Sequence, residues 1–295
     1  MAQASHNSKK RRRYAVGVIA AALIAMTVWI AWGNSALMLT EVSIAGENIP
    51  TAFSGFRIAQ ISDLHNAVFG QNNENLLSRL DKAEPDIIVM TGDLVDSRHT
   101  DIAVALDFAS RAVQIAPVYY VSGNHEARIS EYDDLKSGLT AAGVAVLEDE
   151  VTFVDCSGER LTLIGVRDPS FSADYLYDEQ EAMRSTLAEL MENADGYTVL
   201  LSHRPELFES YVDSGINLVF SGHAHGGQFR LPLVGGLVAP DQGFFPAYDA
   251  GLYTAHNTNM VVSRGIGNSI IPFRVNNRPE IVVVELSADN SESED

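Results

Sequence analysis

Ile58-Ala59-Gln60-Ile61-Ser62-Asp63-Leu64-His65 runs from a short apolar, β-branched stretch straight into two residues able to bind a metal, and the pattern recurs four more times. Ile87-Ile88-Val89-Met90 leads to Gly92-Asp93, and Val118-Tyr119-Tyr120-Val121 leads to Gly123-Asn124-His125-Glu126. Val199-Leu200-Leu201 leads to Ser202-His203, and Leu218-Val219-Phe220 leads to Gly222-His223-Ala224-His225. Apolar runs this short, bounded by Gly, Asp and Asn, read as strands of a sheet covered on both faces. In layered α/β proteins the loops past the carboxyl ends of the strands build the sites, so five strands deliver their polar residues to one rim. Carboxylate, amide and imidazole groups arriving from separate segments suit one assembled centre for divalent transition metals.

Between these blocks the pattern predicts helices over residues 73–82, 101–113 and 132–142, each ending near Pro or Gly, so strand and helix alternate around a central sheet. Residues 144–166 read as antiparallel strands turning at Ser157-Gly158, and residues 179–193 as an amphipathic helix. A first strand and turn fall within residues 41–55. Short strands return from Tyr253 and end in Glu280-Ile281-Val282-Val283-Val284-Glu285-Leu286. The fold class is α/β.

The five blocks in this order resemble the signature blocks of the calcineurin-like metallophosphoesterase superfamily, over roughly Phe56 to Leu286. Gly226-Gly227-Gln228, Ser263-Arg264-Gly265-Ile266-Gly267 and Arg278-Pro279-Glu280 resemble its bacterial membrane-associated phosphodiesterase branch. The resemblance implies a four-layer α/β/β/α sandwich over residues 41–286 and a centre of two divalent ions, with Mn, Fe, Zn, Co and Ni all compatible with the donors. Such a pair, about 3.5–4 Å apart, activates a water and neutralises charge on the attacked phosphorus group.

By resemblance Asp93 bridges the ions, the first taking Asp63, His65 and His225 and the second Asn124, His203 and His223. As an HxH pair on one extended segment, with successive side chains pointing to opposite sides, His223 and His225 are expected to serve different ions if the turn bends there, and the two assignments can be exchanged. His125 matches the second-sphere histidine that protonates the leaving oxygen or steadies the phosphate, which is suitable proton chemistry near neutral pH when its other nitrogen is held. Asp96 is the expected holder, its plainer reading being an Asx turn or helix cap. In protein phosphatases an Arg follows that second Asp directly; here Ser97 takes its place and Arg98 comes one later. Gly265 and Gly267 suit tight backbone beside the site or ordinary turns. His6, His99 and His256 read as exposed polar residues.

The two ends of the chain carry separate signals. Residues 1–13 form a leader closing with five consecutive cations, Lys9 to Arg13, and residues 14–32 are an almost unbroken apolar segment of bilayer-spanning length with Trp29 and Trp32 at its far end. The positive-inside rule makes this a single-pass cell-membrane anchor with the catalytic domain outside the cytoplasm. A cleaved signal peptide, with Ala31 and Gly33 as small residues, is the competing reading. The adjacent arginines also resemble a twin-arginine export signal.

Residues 33–295 hold all 39 acidic residues and 15 of the 20 basic ones, a net charge of about −24, which excludes the basic footprint of a nucleic-acid binder. Residues 287–295 read as a disordered acidic tail. The single cysteine, Cys156, rules out an intrachain disulfide and packs as a small hydrophobe.

Leu231-Pro232-Leu233-Val234 and Gly243-Phe244-Phe245-Pro246-Ala247-Tyr248 form apolar stretches that cover an acyl chain, dip into lipid or pack on the domain. The expected activity is a phosphodiesterase acting on a lipid or cell-envelope phosphoester by metal-activated hydroxide attack, with His125 assisting the leaving group. Some members of the resembled branch act on nucleotide-linked acylated sugars. Those are made in the cytoplasm, and an outward-facing site argues against them. A phosphomonoesterase acting on phosphoprotein or phosphosugar shares every ligand, and a non-catalytic metal-binding module is the third reading.

Overall fold

The computed structural model describes residues 2–172, 178–268 and 271–289. The first sheet has the order β1-β16-β2-β3-β4-β5, built from β1 (Met38–Gly46), β2 (Arg57–Ile61), β3 (Ile87–Thr91), β4 (Val118–Val121), β5 (Ala145–Val146) and β16 (Glu280–Ala288). The second has the order β14-β15-β9-β8-β7-β6, built from β6 (Glu150–Cys156), β7 (Glu159–Gly165), β8 (Thr198–Leu201), β9 (Leu218–Ser221), β14 (Gly251–Ala255) and β15 (Thr258–Val262). β2 to β5 run parallel, as do β7, β8, β9 and β15.

The period of two along a strand explains the continuous apolar runs. In β3, Ile87 and Val89 enter the core between the sheets, while Ile88 and Met90 enter the core under α2 (Glu74–Asp81), α3 (Ile102–Ala112) and α4 (Tyr132–Ala142). In β9, Leu218 and Phe220 face the first sheet, and Val219 packs under α5 (Glu179–Met191) and α6 (Phe208–Asp213). The result is the expected four-layer α/β/β/α sandwich. The five metal-block strands divide between the sheets: β2, β3 and β4 lie in one, β8 and β9 in the other. Gln60, the polar residue in the first quoted run, joins them by donating to Ser221 O at 2.8 Å and Thr91 Oγ1 at 2.9 Å.

Helix ends follow local chemistry. The Asp101 side chain accepts from Ala103 N at the start of α3, and Gly143, at φ 97°, closes α4. Three boundaries differ from expectation. β5 belongs to the first sheet, so only β6 and β7 form the antiparallel pair turning at Ser157-Gly158. β1 begins at Met38. β16 runs on to Ala288, because Ala45 and Gly46 of β1 pair with Ser287 and Ala288, which shortens the expected acidic tail; residues 290–295 lie outside the described residues.

Helix α1 (Ala2–Ser35) contains an apolar window, Arg12–Ser35, of 24 residues and mean hydropathy 2.2, none of whose residues is buried. At 1.5 Å per residue it is about 36 Å long, enough to cross a bilayer. Its end is fixed to the domain: Asn34 Nδ2 donates to Arg274 O at 3.0 Å and Asn34 Oδ1 accepts from Arg274 N at 2.8 Å. Arg278 donates to Ala36 O and Leu37 O and lies 4.9 Å from the Trp32 ring centre.

Candidate metal centre

The loops after β2, β3 and β9 cross at one rim in an unusual backbone conformation. Asp63, His65, Asp93, His223 and His225 all have φ between 44° and 64°, a left-handed region that side-chain-bearing residues rarely occupy. Interloop hydrogen bonds hold them there: Asp63 N to Gly92 O and His65 N to Asp93 O, each 3.0 Å, and His223 N to Asp63 Oδ1, 3.1 Å. Such strain persists only where surrounding structure over-determines it, as at functional sites. His223 and His225 therefore do not lie on an extended segment. His225 opens a tight turn through Gly227, and this turn, not strand alternation, separates the two rings. Two glycines give the room. A Cβ on Gly222 would strike Ser62 Oγ and come within 2.5 Å of Asp63 Oδ2, and one on Gly123 would strike Asp93 Oδ1.

Six of the seven expected ligands are brought together in two groups sharing one carboxylate. Asp63, His65, Asp93 and His225 form one and Asp93, His203 and His223 the other, all buried. In the first, His65 Nε2 lies 3.1 Å from His225 Nε2, 3.5 Å from Asp93 Oδ2 and 3.9 Å from Asp63 Oδ1. In the second, His203 Nε2 lies 3.2 Å from His223 Nδ1 and 3.3 Å from Asp93 Oδ2. Asn124, nearly fully buried, leaves its Oδ1 without a hydrogen-bond partner. An orphaned buried amide oxygen and imidazole nitrogens converging on carboxylate oxygens fit a divalent cation in each group.

The outer nitrogens orient the rings. His203 Nδ1 donates to Thr91 O at 2.7 Å, since a carbonyl can only accept, which directs Nε2 toward Asp93. His223 Nε2 faces both Asp241 Oδ2 at 2.9 Å and Arg204 Nη1 at 3.2 Å, which directs Nδ1 toward His203. Burial pushes the His65 pKa down to about 3 and lowers His225 well below its ordinary value, so both rings are neutral donors. Burial opposes charge on His203 as well, but Asp93, Asp63 and Asp168 outweigh it and lift the pKa to about 10, a field that favours positive charge at this point.

His125 and Asp96 are placed differently from the expected pair. Asp96 Oδ1 is 3.8 Å from His125 Nδ1, and its carboxylate accepts instead from Arg98 N, Nε and Nη2 at 2.9, 3.1 and 2.7 Å. His125 Nδ1 accepts from Ser97 N at 3.0 Å, while His125 N donates to Asp93 Oδ1 at 2.8 Å. Asp96 thus shapes the turn that presents Ser97 N, and its nearest contact to the ring is beyond hydrogen-bond reach.

Several residues that the sequence reading left without a role support the centre. Glu126 is fully buried and accepts from Asp93 N at 2.8 Å, Gly123 N at 2.7 Å and Val95 N at 3.3 Å, tying the second and third blocks together. Burial, reinforced by Asp93, raises its pKa to about 7. Arg204 donates to Asp168 at 2.6 and 3.0 Å and to Ser170 Oγ at 2.9 Å, and also pairs with Asp241. Its Nη1 sits 3.2 Å from His223 Nε2 and 3.3 Å from Glu206 Oε1. Glu206, His223 and Asp241 would otherwise make a third cation cluster, but the guanidinium already fills it. Glu126 closes the third quoted block and Arg204 directly follows the fourth, a signal the sequence did carry; Asp168 and Asp241 lie in loops whose approach only the fold reveals.

Comparison with known proteins identifies the family. The family model described as calcineurin-like phosphoesterase matches residues 56–227. YkuE of Bacillus subtilis, named an uncharacterized metallophosphoesterase, is 29% identical over 260 residues, covering 85% of this chain and 86% of its own. A bovine transmembrane protein with metallophosphoesterase domain is 29% identical over 85% of this chain and 57% of its own. Phosphodiesterase YaeI of Escherichia coli is 28% identical over 78% of this chain and 82% of its own. The family uses divalent metals, this chain buries a cluster able to hold them, and its apolar helix and transmembrane relatives point to membrane association. With more than half of its length matched by the family model, the chain belongs to the calcineurin-like phosphoesterases and is a hydrolase of phosphoesters.

Proposed function

We propose that this chain is a two-metal phosphodiesterase, anchored by α1 with its domain outside the cytoplasm, that acts on a lipid-linked or envelope phosphoester. The observation that carries the two-metal reading is the division of the buried donors into two groups sharing Asp93. Two divalent ions held there supply an activated water and neutralise charge on the phosphate. Asp63, His65 and His225 hold one position, Asn124, His203 and His223 the other, and Asp93 serves both. Thr91 O and Asp241 hold two of the imidazoles in place through their outer nitrogens.

The Ser97 N–H occupies His125 Nδ1, so the neutral ring carries its proton on Nε2. Burial also lowers the His125 pKa. The ring therefore acts as an N–H donor that steadies the phosphate or leaving oxygen, in preference to delivering a proton as imidazolium.

Support for a diester comes from the relative named a phosphodiesterase and from Ser97 standing where a protein-phosphatase arginine is expected. Support for a membrane-side substrate comes from α1, which reaches the domain about 30 residues before the first metal block. The outward placement rests on the five cations, Lys9 to Arg13, ahead of the apolar stretch of α1.

The test is hydrolysis by the full chain in detergent, stripped of metal and reloaded with Mn, Fe, Zn, Co or Ni, of bis-p-nitrophenyl phosphate beside p-nitrophenyl phosphate. Metal-restored turnover with the higher kcat/KM on the diester is expected. The opposite preference moves the assignment to a phosphomonoesterase, and a folded, metal-loaded protein silent on both contradicts the catalytic reading of these substrates.

A further inference from the structure

Two hairpins grow out of the metal rim directly after His225. The first pairs β10 (Arg230–Leu231) with β11 (Gly235–Gly236), and the second pairs β12 (Val238–Ala239) with β13 (Gly243–Phe244). The first hairpin exposes Leu231 and, at its tip, Leu233 and Val234, and the second exposes Phe244 and Phe245 on and just past its outgoing strand, with Leu233 wholly exposed and Phe244 80% exposed. Leu233 and Phe245 also stand at φ 68° and 56°. A bulky apolar residue there pays conformational strain that Gly or Asn would avoid, and inside this chain neither gains burial in return. An outward-facing partner is what such residues are placed to meet.

The surroundings identify that partner. Across residues 231–248, in a domain of strongly negative net charge, the only charged side chain is Asp241, and it bonds His223 and Arg204 at the centre. The hairpins also continue from the exit of α1. Residues 274–278 hold the helix end through Asn34, Ala36 and Trp32. The same strip bridges Val275 to Phe229, accepts Arg230 N at Val275 O over 3.0 Å, and sets Phe273 5.6 Å from the Phe229 ring. Leu237 N donating to Phe229 O at 2.8 Å and Phe245 N donating to Leu237 O at 2.9 Å tie in the second hairpin.

We propose that the tip of the first hairpin and the outgoing strand of the second insert into the bilayer that α1 crosses, forming a second, interfacial membrane contact that sets the metal rim against the lipid surface. The proposal rests on the reading of α1 as a membrane span and deepens the membrane-side placement of the substrate. Insertion relies on apolar side chains and not on charge, so it takes place on zwitterionic lipid, which does not repel the acidic domain.

The experiment uses the full chain in phosphatidylcholine vesicles with Cys156→Ser as background and single labelled cysteines from Leu233→Cys, Phe244→Cys, Ala21→Cys and His256→Cys. His256 lies at the β14–β15 turn, at the end of its strands opposite the rim. Nitrobenzoxadiazole fluorescence is read with acyl-chain doxyl quenchers and with aqueous iodide. The expected result is loss of fluorescence to doxyl lipid and protection from iodide at positions 233, 244 and 21, with the reverse at 256. Adding Leu233→Asp and Phe245→Asp is expected to restore iodide access at 244 and leave 21 unchanged. Quenching by lipid at 21 with iodide access at 233 and 244 would overturn the second contact and leave the anchor standing. Protection at 233 and 244 without lipid quenching would overturn it in favour of a protein partner.

Discussion

Asp93→Ala is expected to abolish high-affinity binding at both metal positions and to lower kcat/KM on a phosphodiester by roughly 10³-fold or more, the equivalent of several kcal/mol of charge stabilisation. The size follows from how many tasks converge on this carboxylate. Oδ2 faces His65 Nε2 at 3.5 Å and His203 Nε2 at 3.3 Å, so one oxygen serves both groups. Oδ1 accepts the His125 amide at 2.8 Å and so also places the ring that steadies the phosphate. His65→Ala removes a donor from one group alone and is expected to leave one binding step intact. Calorimetric titration of the metal-stripped full chain with Mn(II), alongside turnover, distinguishes them: two binding steps in the parent, one in His65→Ala and none of comparable affinity in Asp93→Ala.

Arg204→Met is expected to destabilise the domain by about 3–5 kcal/mol, the usual cost of removing one partner from a buried ion pair. Arg204 and Asp168 are both buried, and the substitution strands the Asp168 carboxylate against the orphaned Ser170 and the unmatched Asp241. Adding Asp168→Asn removes the stranded charge and is expected to recover part of the loss, which a double-mutant cycle in denaturant unfolding measures. The pair also makes stability depend on pH. Burial raises the Asp168 pKa, but Arg204 outweighs it and the folded value lies below the ordinary one. Its contribution is therefore complete above the unfolded carboxylate pKa of about 3.9 and is lost as pH falls through the lower folded value. The parent should lose stability across that acid window, and the Arg204→Met, Asp168→Asn protein should lose less there.

The sandwich was legible because burial on both faces leaves a plain mark, in that β3 and β9 send alternate side chains into two different cores and so read as unbroken apolar runs. The positions of Asp63, Asp93, Asn124, His203 and the His pair were legible because each follows such a run by two to five residues. Sheet membership was not: nothing in Ile87-Ile88-Val89-Met90 or Leu218-Val219-Phe220 says which sheet the strand joins, and two-residue β5 carries too little pattern to separate it from β6. The partner of His125 was misplaced for a related reason. A carboxylate three residues after Asp93 looked like the natural holder, yet the turn spends it on Arg98 and offers a backbone amide instead. Backbone donors have no residue signature. The approach of Asp241 to His223 was equally hidden, since it depends on the path of two hairpins over the rim.

The most direct test of a carboxylate-bridged pair of ions is the electron paramagnetic resonance spectrum of the full chain saturated with Mn(II). Two ions sharing Asp93 predict an exchange-coupled multiline signal at two Mn(II) per chain, lost in Asp93→Ala. A single uncoupled six-line signal that saturates at one Mn(II) per chain would contradict the two-metal centre.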